Sequence, residues 1–350
     1  MFAQVHSPES LTPSELDAYL EKGWFRMGQT IFTTNFLYVR DEIFSTIWLR
    51  ILLNDYSAES AQLKIVKKNS VFRTNISRAT ITLEKEELYA LYKESVPFQA
   101  SPSLNHLLLS GKDVNSIYET YEVTVWDGDR LIACGYFDLG NVASQGIVSF
   151  YHPSYKKYSL GKHLIYLKIQ YSKELGLHYF YPGYFVPGNT HFDYKLSIGR
   201  PFLEYFQLRS GHWIPMDLFS DEDITCTVMH RKLSKVCTAL SATNVYSQVL
   251  KYEFFDVNLR ADLRDTGLFD FPVFLFFGKV IEGDSGPVLL LVFDVRDGQY
   301  HLMICVPSWK PIDTNPDIRF YSSYFLQPTR EIIATSHEKE IIDIILILQN

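Results

Sequence analysis

Apolar positions along this chain recur at two periods, and the switches between them mark out its elements. Leu83, Leu88, Leu91 and Tyr92 fall at helical spacing within Leu83–Glu94, behind Thr82 as a cap. Ser14–Lys22 follows Pro13 and reads as a short helix capped by Ser14. Thr30–Tyr38 and Thr46–Asn54 read as strands of a hairpin-like pair. Ser116–Trp126 alternates polar and apolar residues up to Asp127-Gly128, and Arg130–Leu139 then resumes, which predicts a hairpin. Gly146–Tyr151 reads as a third strand, Ser159–Leu175 as a helix closed by Gly176, and His178–Pro187 as a short aromatic strand. After Trp213–Asp223 the texture changes. Ser234–Val249 is a polar, Ser/Thr-rich bridge, helical at least in part. Val273–Ile281, Pro287–Val295 and His301–Pro307 are β-like, broken by Gly283–Gly286 and Asp297-Gly298, with Asp313–Pro316 as a turn and Glu338–Leu348 as a closing helix.

This order predicts an α+β chain: a mixed sheet with a helix at its middle, preceded by an α+β segment and followed by a β-rich one. The expected domains are 1–110, 111–240 and 241–350. With 350 residues, 47% hydrophobic and 21% charged, the chain can bury more than one core and is not disordered. The net charge of -7 argues against a general nucleic-acid coat. The acidic excess lies almost wholly beyond Asn244, so a polyanion site is expected before it. Cys134, Cys226, Cys237 and Cys305 form no Cys-x-x-Cys pair, so reduced thiols are expected rather than disulfides or zinc. His152, His163 and His191 lack ligand spacing, and no metal is expected. The start MFAQVHSPES does not read as a signal peptide, and the longest apolar runs are too short to cross a bilayer. A cytoplasmic protein without membrane contact is the expectation.

The candidate chemistry lies in Asp138–Lys195. Asp138 ends one strand and Ser149–Tyr151 ends the next. The loop Ser154–Gly161 leads straight into a helix, whose first N–H groups and dipole suit an anion, with Lys156, Lys157 and Lys162 around it. A capped helix with solvated lysines is the plainer reading of the same residues. GNAT-type acyltransferases seat a pyrophosphate at such a helix. Ser159-Leu160-Gly161-Lys162 carries one glycine where coenzyme-A-dependent members have a glycine-rich loop, which points to another phosphate-bearing donor.

The run Asp138, Phe150-Tyr151-His152-Pro153, Ser159-Leu160-Gly161, Lys173-Glu174-Leu175-Gly176-Leu177, Tyr179-Phe180-Tyr181-Pro182-Gly183-Tyr184 and Tyr194-Lys195 resembles the arginyl-tRNA–protein transferases and the related bacterial aspartate/glutamate leucyltransferases. Upstream, Ala61–Asn69 is similar to the family's Ser-Gln-Arg-Arg-x-x-x-Arg-Asn element, and Gly23, Arg26 and Gly28 to its Gly-x-x-Arg-x-Gly opening. Two features depart: Leu63 stands where the family tends to have Arg, and Thr33–Arg40 holds none of the family's clustered cysteines. No counterpart is recognised beyond about Asn244.

The resemblance implies a GNAT-like fold with an extra C-terminal domain, and an enzyme that moves Arg or Leu from aminoacyl-tRNA to the N-terminal amine of proteins that start with Asp or Glu. Aminoacyl-tRNA is the co-substrate and no further cofactor is implied. Asp138 is the candidate to hold or deprotonate the amine, and Asp138→Asn is expected to abolish transfer. Tyr151, Tyr181, Tyr184, Tyr194 and Lys195 are candidates for substrate binding. Gln62, Lys64, Lys67, Lys68, Lys157, Ser159, Leu160 and Gly161 are candidates for tRNA phosphates. A core or surface role stands beside each of these. A coenzyme-A-dependent N-acyltransferase and a non-catalytic binder of tRNA or N termini are the alternative functions.

Overall fold

The computed structural model describes residues 1–277, 286–312 and 315–349, apart from the side chain of Gln349. The chain opens with β1 (Ala3–His6), α1 (Pro13–Glu21), β2 (Phe25–Met27) and β3 (Thr30–Thr34). Helix α1 starts at Pro13 with Thr12, not Ser14, as its cap. The Thr12 hydroxyl accepts from Glu15 N while the Glu15 carboxylate accepts from Thr12 N. Strands β1, β3 and β2 form a small antiparallel sheet in that order. Next come the hairpin β4 (Phe36–Val39) and β5 (Glu42–Ser45), then β6 (Ile47–Leu52), α2 (Ser60–Asn69), β7 (Arg73–Arg78), α3 (Leu83–Ser95) and α4 (Leu104–Leu109). The expected pairing of Thr30–Tyr38 with Thr46–Asn54 does not form, because the first run breaks at Asn35 and β6 joins a different sheet.

That sheet is completed by β8 (Thr120–Asp127), β9 (Arg130–Leu139), β10 (Ala143–Tyr151), β11 (Tyr179–Phe185), β12 (Leu203–Gln207) and β13 (His212–Pro215), with α5 (Leu160–Glu174) between β10 and β11. Its order is β13-β12-β6-β11-β10-β9-β8-β7. Only β10 and β11 pair in parallel, as a strand–helix–strand crossover requires. Strands β6 and β7 precede residue 110 and pair with strands that follow it, so the sheet crosses the expected 110/111 boundary. Both faces are covered. Leu160, Leu164 and Ile169 of α5 pack on one, and Leu88, Tyr89, Leu104 and Leu108 of α3 and α4 on the other. Strand β9 is therefore apolar nearly throughout rather than alternating.

The last part comprises α6 (Thr225–Ser241), β14 (Ser247–Tyr252), β15 (Val273–Phe277), β16 (Val288–Asp294), β17 (Gln299–Pro307), β18 (Phe320–Tyr321), β19 (Leu326–Thr335) and α7 (Glu338–Gln349). Its sheet order is β18-β14-β15-β16-β17-β19. Helix α6 begins well before the expected bridge. Val228, Met229, Leu233, Val236 and Leu240 form one buried face that joins the C-terminal core, although they precede residue 241. Phe2 enters the same core between Phe36 and Phe271, with ring centroids 5.2 and 5.0 Å away. The expected strand to Ile281 is observed to Phe277; its remainder and most of the Gly283–Gly286 turn lie outside the described residues, as do 313 and 314 of the Asp313–Pro316 turn. Among the described residues, no helix is long and apolar enough to cross a membrane.

Candidate active site

Strands β10 and β11 pair only through Ala143–Tyr179, Ser144–Phe180 and Gln145–Tyr181. Beyond Gln145 they part. Strand β10 shifts register against β9 between Gly146 and Val148, and β11 shifts against β6 between Phe180 and Gly183. Pro182 has no N–H for a ladder, and Gly183 sits at φ +86, a conformation that L side chains rarely adopt. A Cβ on Gly146 would stand 3.1 Å from the Phe180 ring. Between the parted strands lies a cleft of about 790 Å³. Phe25, Phe32, Tyr92, Tyr151, Tyr184 and Phe192 give it aromatic walls. Arg26, Lys156, Lys162, Lys168 and Lys195 are its charged lining residues; among the described residues no Asp or Glu lines it.

The N-terminus of α5 opens onto this cleft. Ser159 is in the left-handed region at φ 55, and no side chain caps the helix. Ser159, Gly161, Lys156 and Lys162 line the cleft. The Leu160 side chain is in the core, so only its backbone can meet an anion. Lys157 lies just outside, its ammonium 5.2 Å from the Tyr158 ring centroid, with Lys68 at 5.4 Å from the same ring. The Lys68 ammonium donates to Lys157 O, and Asn69 Nδ2 donates to Tyr158 O at 3.0 Å, so α2 is tied to this turn. Lys64, Lys67 and Lys68 are exposed on α2. Gln62 is not: it is buried and its Oε1 accepts from the Tyr56 hydroxyl at 2.5 Å. Helical spacing explains this correction, since Gln62 and Asn69 stand seven residues apart on the inner face of α2 while the lysines point outward.

Asp138 does not line the cleft. Its side chain is 0% exposed. One carboxylate oxygen accepts from Arg26 Nη1 and Thr120 Oγ1, each at 2.7 Å, and the other from Gln145 Nε2 at 3.0 Å. Burial raises the Asp138 carboxyl, and the guanidinium and the two neutral donors act against it. Arg26 spends further N–H groups on Gly28 O and Leu108 O. Gln145 is the last paired residue before the strands part, so this knot fixes the apex of the split rather than presenting a base to substrate. Tyr181 also faces away, packed edge-on to Trp213 at 5.4 Å. Adjacent strand residues point to opposite faces, and Phe180 takes the cleft side.

Tyr151, Tyr184, Tyr194 and Lys195 do reach the cleft. The Lys195 ammonium donates to Tyr184 O at 2.7 Å, its only hydrogen-bond acceptor among the described residues. It lies 5.4 and 5.6 Å from the Tyr184 and Phe192 ring centroids. Burial lowers this lysine to about 7.

Lys168 was missed in the sequence, although it left a signal. Leu160, Leu164, Lys168 and Ser172 make one buried i, i+4 row of α5, and a lysine in such a row must have oxygen partners. Its ammonium donates to Tyr136 O at 2.9 Å, Val148 O at 2.7 Å and Ser149 Oγ at 3.1 Å, bridging β9 and β10 at the bulge. Burial lowers it to about 7. Gly135 makes room: a Cβ there would meet Lys168 Cε and Nζ at 2.9 Å.

Another buried group of α5 is His163, 3% exposed, with no hydrogen-bond partner at either ring nitrogen. Burial lowers it to about 4. Its folded value is thus below its unfolded one of about 6.5. The fold binds fewer protons than the unfolded chain in this window, so stability falls as pH drops from 6.5 towards 4, by about 3 kcal/mol in total. Urea denaturation at pH 7.5 and 4.5 should show a gap that narrows in His163→Phe; an unchanged gap contradicts this assignment. Asp294, Asp297 and His301 also approach within 4.8 Å of one another in the C-terminal sheet, away from the cleft, with Asp294 paired to Arg296 and His301 to Glu331.

Residues 84–201, which contain the split strands and α5, match the family described as "Arginine-tRNA-protein transferase, C terminus". The aspartate/glutamate leucyltransferase of Leptospira interrogans (strain Fiocruz L1-130) is 30% identical over 194 residues, 54% of this chain and 73% of that protein. This chain belongs to the arginyl-tRNA–protein transferase family. The aspartate/glutamate leucyltransferase of Campylobacter jejuni (strain RM1221) is 29% identical over 190 residues, 52% of this chain and 77% of that protein. Among solved structures, FemX is similar at a TM-score of 0.32 and 12% identity, over 54% of this chain and 64% of that one. In this family member the family match ends at residue 201, before α6 and the C-terminal sheet.

Proposed function

We propose that this transferase moves an uncharged aliphatic residue, leucine rather than arginine, from its charged tRNA to the α-amine of a protein that begins with Asp or Glu. The observation that carries this is the charge of the cleft: among the described residues it is lined by Lys156, Lys162 and Lys195, with Arg26 and Lys168 held by internal partners, and by no carboxylate. An arginyl side chain would find no anion there, whereas a leucyl group meets aromatic walls. An acidic acceptor side chain meets Lys195, a desolvated ammonium with donors to spare. The relatives named aspartate/glutamate leucyltransferase agree with both choices.

The parted strands and the uncapped end of α5 support a GNAT-like donor site. Backbone N–H groups of the first turn, with Lys156 and Lys162, would hold the 3′-terminal phosphates. Lys157, Lys68, Lys67 and Lys64 would carry the acceptor stem away over α2. The α-amine, with an ordinary value of about 7.7–8.0, must attack as the neutral form. Surrounding cations favour that form, so its first proton leaves to water. The amine nitrogen then adds to the ester carbonyl, the tetrahedral oxyanion meets a positive field, and the ribose oxygen departs with the second amine proton. Ester to amide is downhill.

Transfer read by mass, with an Asp-initiated peptide and leucyl- or arginyl-tRNA in turn, tests this reading; an arginine adduct without a leucine adduct would sink the choice of donor. Lys67→Glu with Lys68→Glu should weaken tRNA binding and reduce the slope of log affinity against log salt by about 1–2. An unchanged slope removes α2 from the interface.

A further inference from the structure

The cleft does not end at Arg26. Phe25, Arg26, Phe32 and Ile147 also wall a second cavity of about 490 Å³, completed by Met27 and Leu107 among others. Its lining comes from β2, β3, α4 and their flanking turns, with Ile147 of β10, and contains no residue of α5 or β11. The cavity is therefore turned away from the cations that suit the donor's phosphates. Its chemistry is mainly apolar. Arg26 contributes no free cation, because its guanidinium is spent on Asp138, Thr120, Gly28 O and Leu108 O.

We propose that this annex is a subsite for the acceptor polypeptide beyond its first residue, and that it takes an apolar side chain at the second position. The inference rests on the reading of the cleft given above. Three observations favour the acceptor over the donor's own side chain as occupant. The annex adjoins the cleft, with four wall residues in common, so it is the neighbouring cavity for a chain whose first residue lies at Lys195. Its volume of about 490 Å³ exceeds one leucyl side chain and leaves room for the peptide backbone that carries the second side chain. Met27 at its rim is 42% exposed, so the annex opens to solvent, which a polypeptide needs and a single aminoacyl side chain does not.

The test is steady-state transfer from leucyl-tRNA to peptides Asp-X, with X as Leu, Phe, Gly or Lys, by wild type, Leu107→Trp and Met27→Glu. The wild type should favour X as Leu or Phe over Gly by about tenfold in kcat/KM, through KM, as burial of one apolar side chain gives. Leu107→Trp, which adds bulk to the annex wall, should lower that ratio, and Met27→Glu should move preference towards X as Lys. A wild-type ratio near one overturns the proposal while the function stands. So does a Leu107→Trp enzyme that keeps the X ratio but changes its choice among leucyl-, methionyl- and phenylalanyl-tRNA, since the annex would then hold the donor side chain. Transfer to none of the peptides overturns both readings.

Discussion

Asp138→Ala should lower the unfolding free energy by about 3–5 kcal/mol, the cost of leaving a buried ion without its partner. Arg26 and Asp138 side chains are 1% and 0% exposed and 2.7 Å apart, so neither charge has water to fall back on. Asp138→Asn keeps the shape but not the charge, and should also lose stability. The double variant Arg26→Met/Asp138→Leu should cost less than the two single changes summed, because no unpaired ion remains. Urea midpoints for the wild type, Asp138→Ala, Asp138→Asn, Arg26→Met, Asp138→Leu and the double variant measure this. The opposite pattern, an Asp138→Asn protein as stable as wild type yet without turnover, would return Asp138 to direct contact with the amine. The buried knot explains why a strand-end aspartate in the family's pattern need not touch substrate: it holds Arg26 and Gln145 where the strands part.

Lys195→Met should cut kcat/KM for Asp-initiated peptides by 30-fold to several thousand-fold, the equivalent of about 2–5 kcal/mol for truncating one member of a buried charge pair. The discriminating measurement is the ratio of Asp- to Asn-initiated peptides, which should collapse towards one in the variant. Burial lowers the lysine to about 7 in the empty cleft, so raising the pH above 7 removes its charge. KM for acidic peptides should then climb with pH in the wild type and stay flat in Lys195→Met. Deprotonation of the attacking amine is common to both proteins and cancels in the comparison. Equal Asp/Asn ratios in the two proteins would place acid recognition elsewhere.

Local signals were legible wherever a short stretch decides its own geometry. The β8–β9 hairpin turns at Gly128 with φ +59, α5 ends before Gly176 at φ +74, and α3 takes Thr82 as its cap. Several residues of the motif run from Tyr151 to Lys195 line one cleft because β10, α5 and β11 are consecutive and build it together. Failures came where the answer depends on what packs alongside. Gln62 looked like part of a basic, polar run until α2 turned it inward, and Tyr181 looked equivalent to Tyr184 until strand alternation put them against different neighbours. Helix α6 was masked by Thr227, Ser234, Thr238 and Ser241, which are exposed or half-buried while its apolar row is buried.

The sequence alone determined the strand–helix–strand unit, the aromatic and cationic character of its mouth, and the family resemblance, because all three rest on neighbours within a few dozen residues. Tertiary structure decided which charges are free to act. Asp138 and Arg26 stand 112 residues apart, and their pairing turns a candidate base into a strut. Lys168 is spent on β9 and β10, while Lys195, held by one carbonyl, keeps donors for a ligand. Residue type fixes what a group can donate or accept; only the burial and partners supplied by distant strands fix whether any of that capacity remains for substrate.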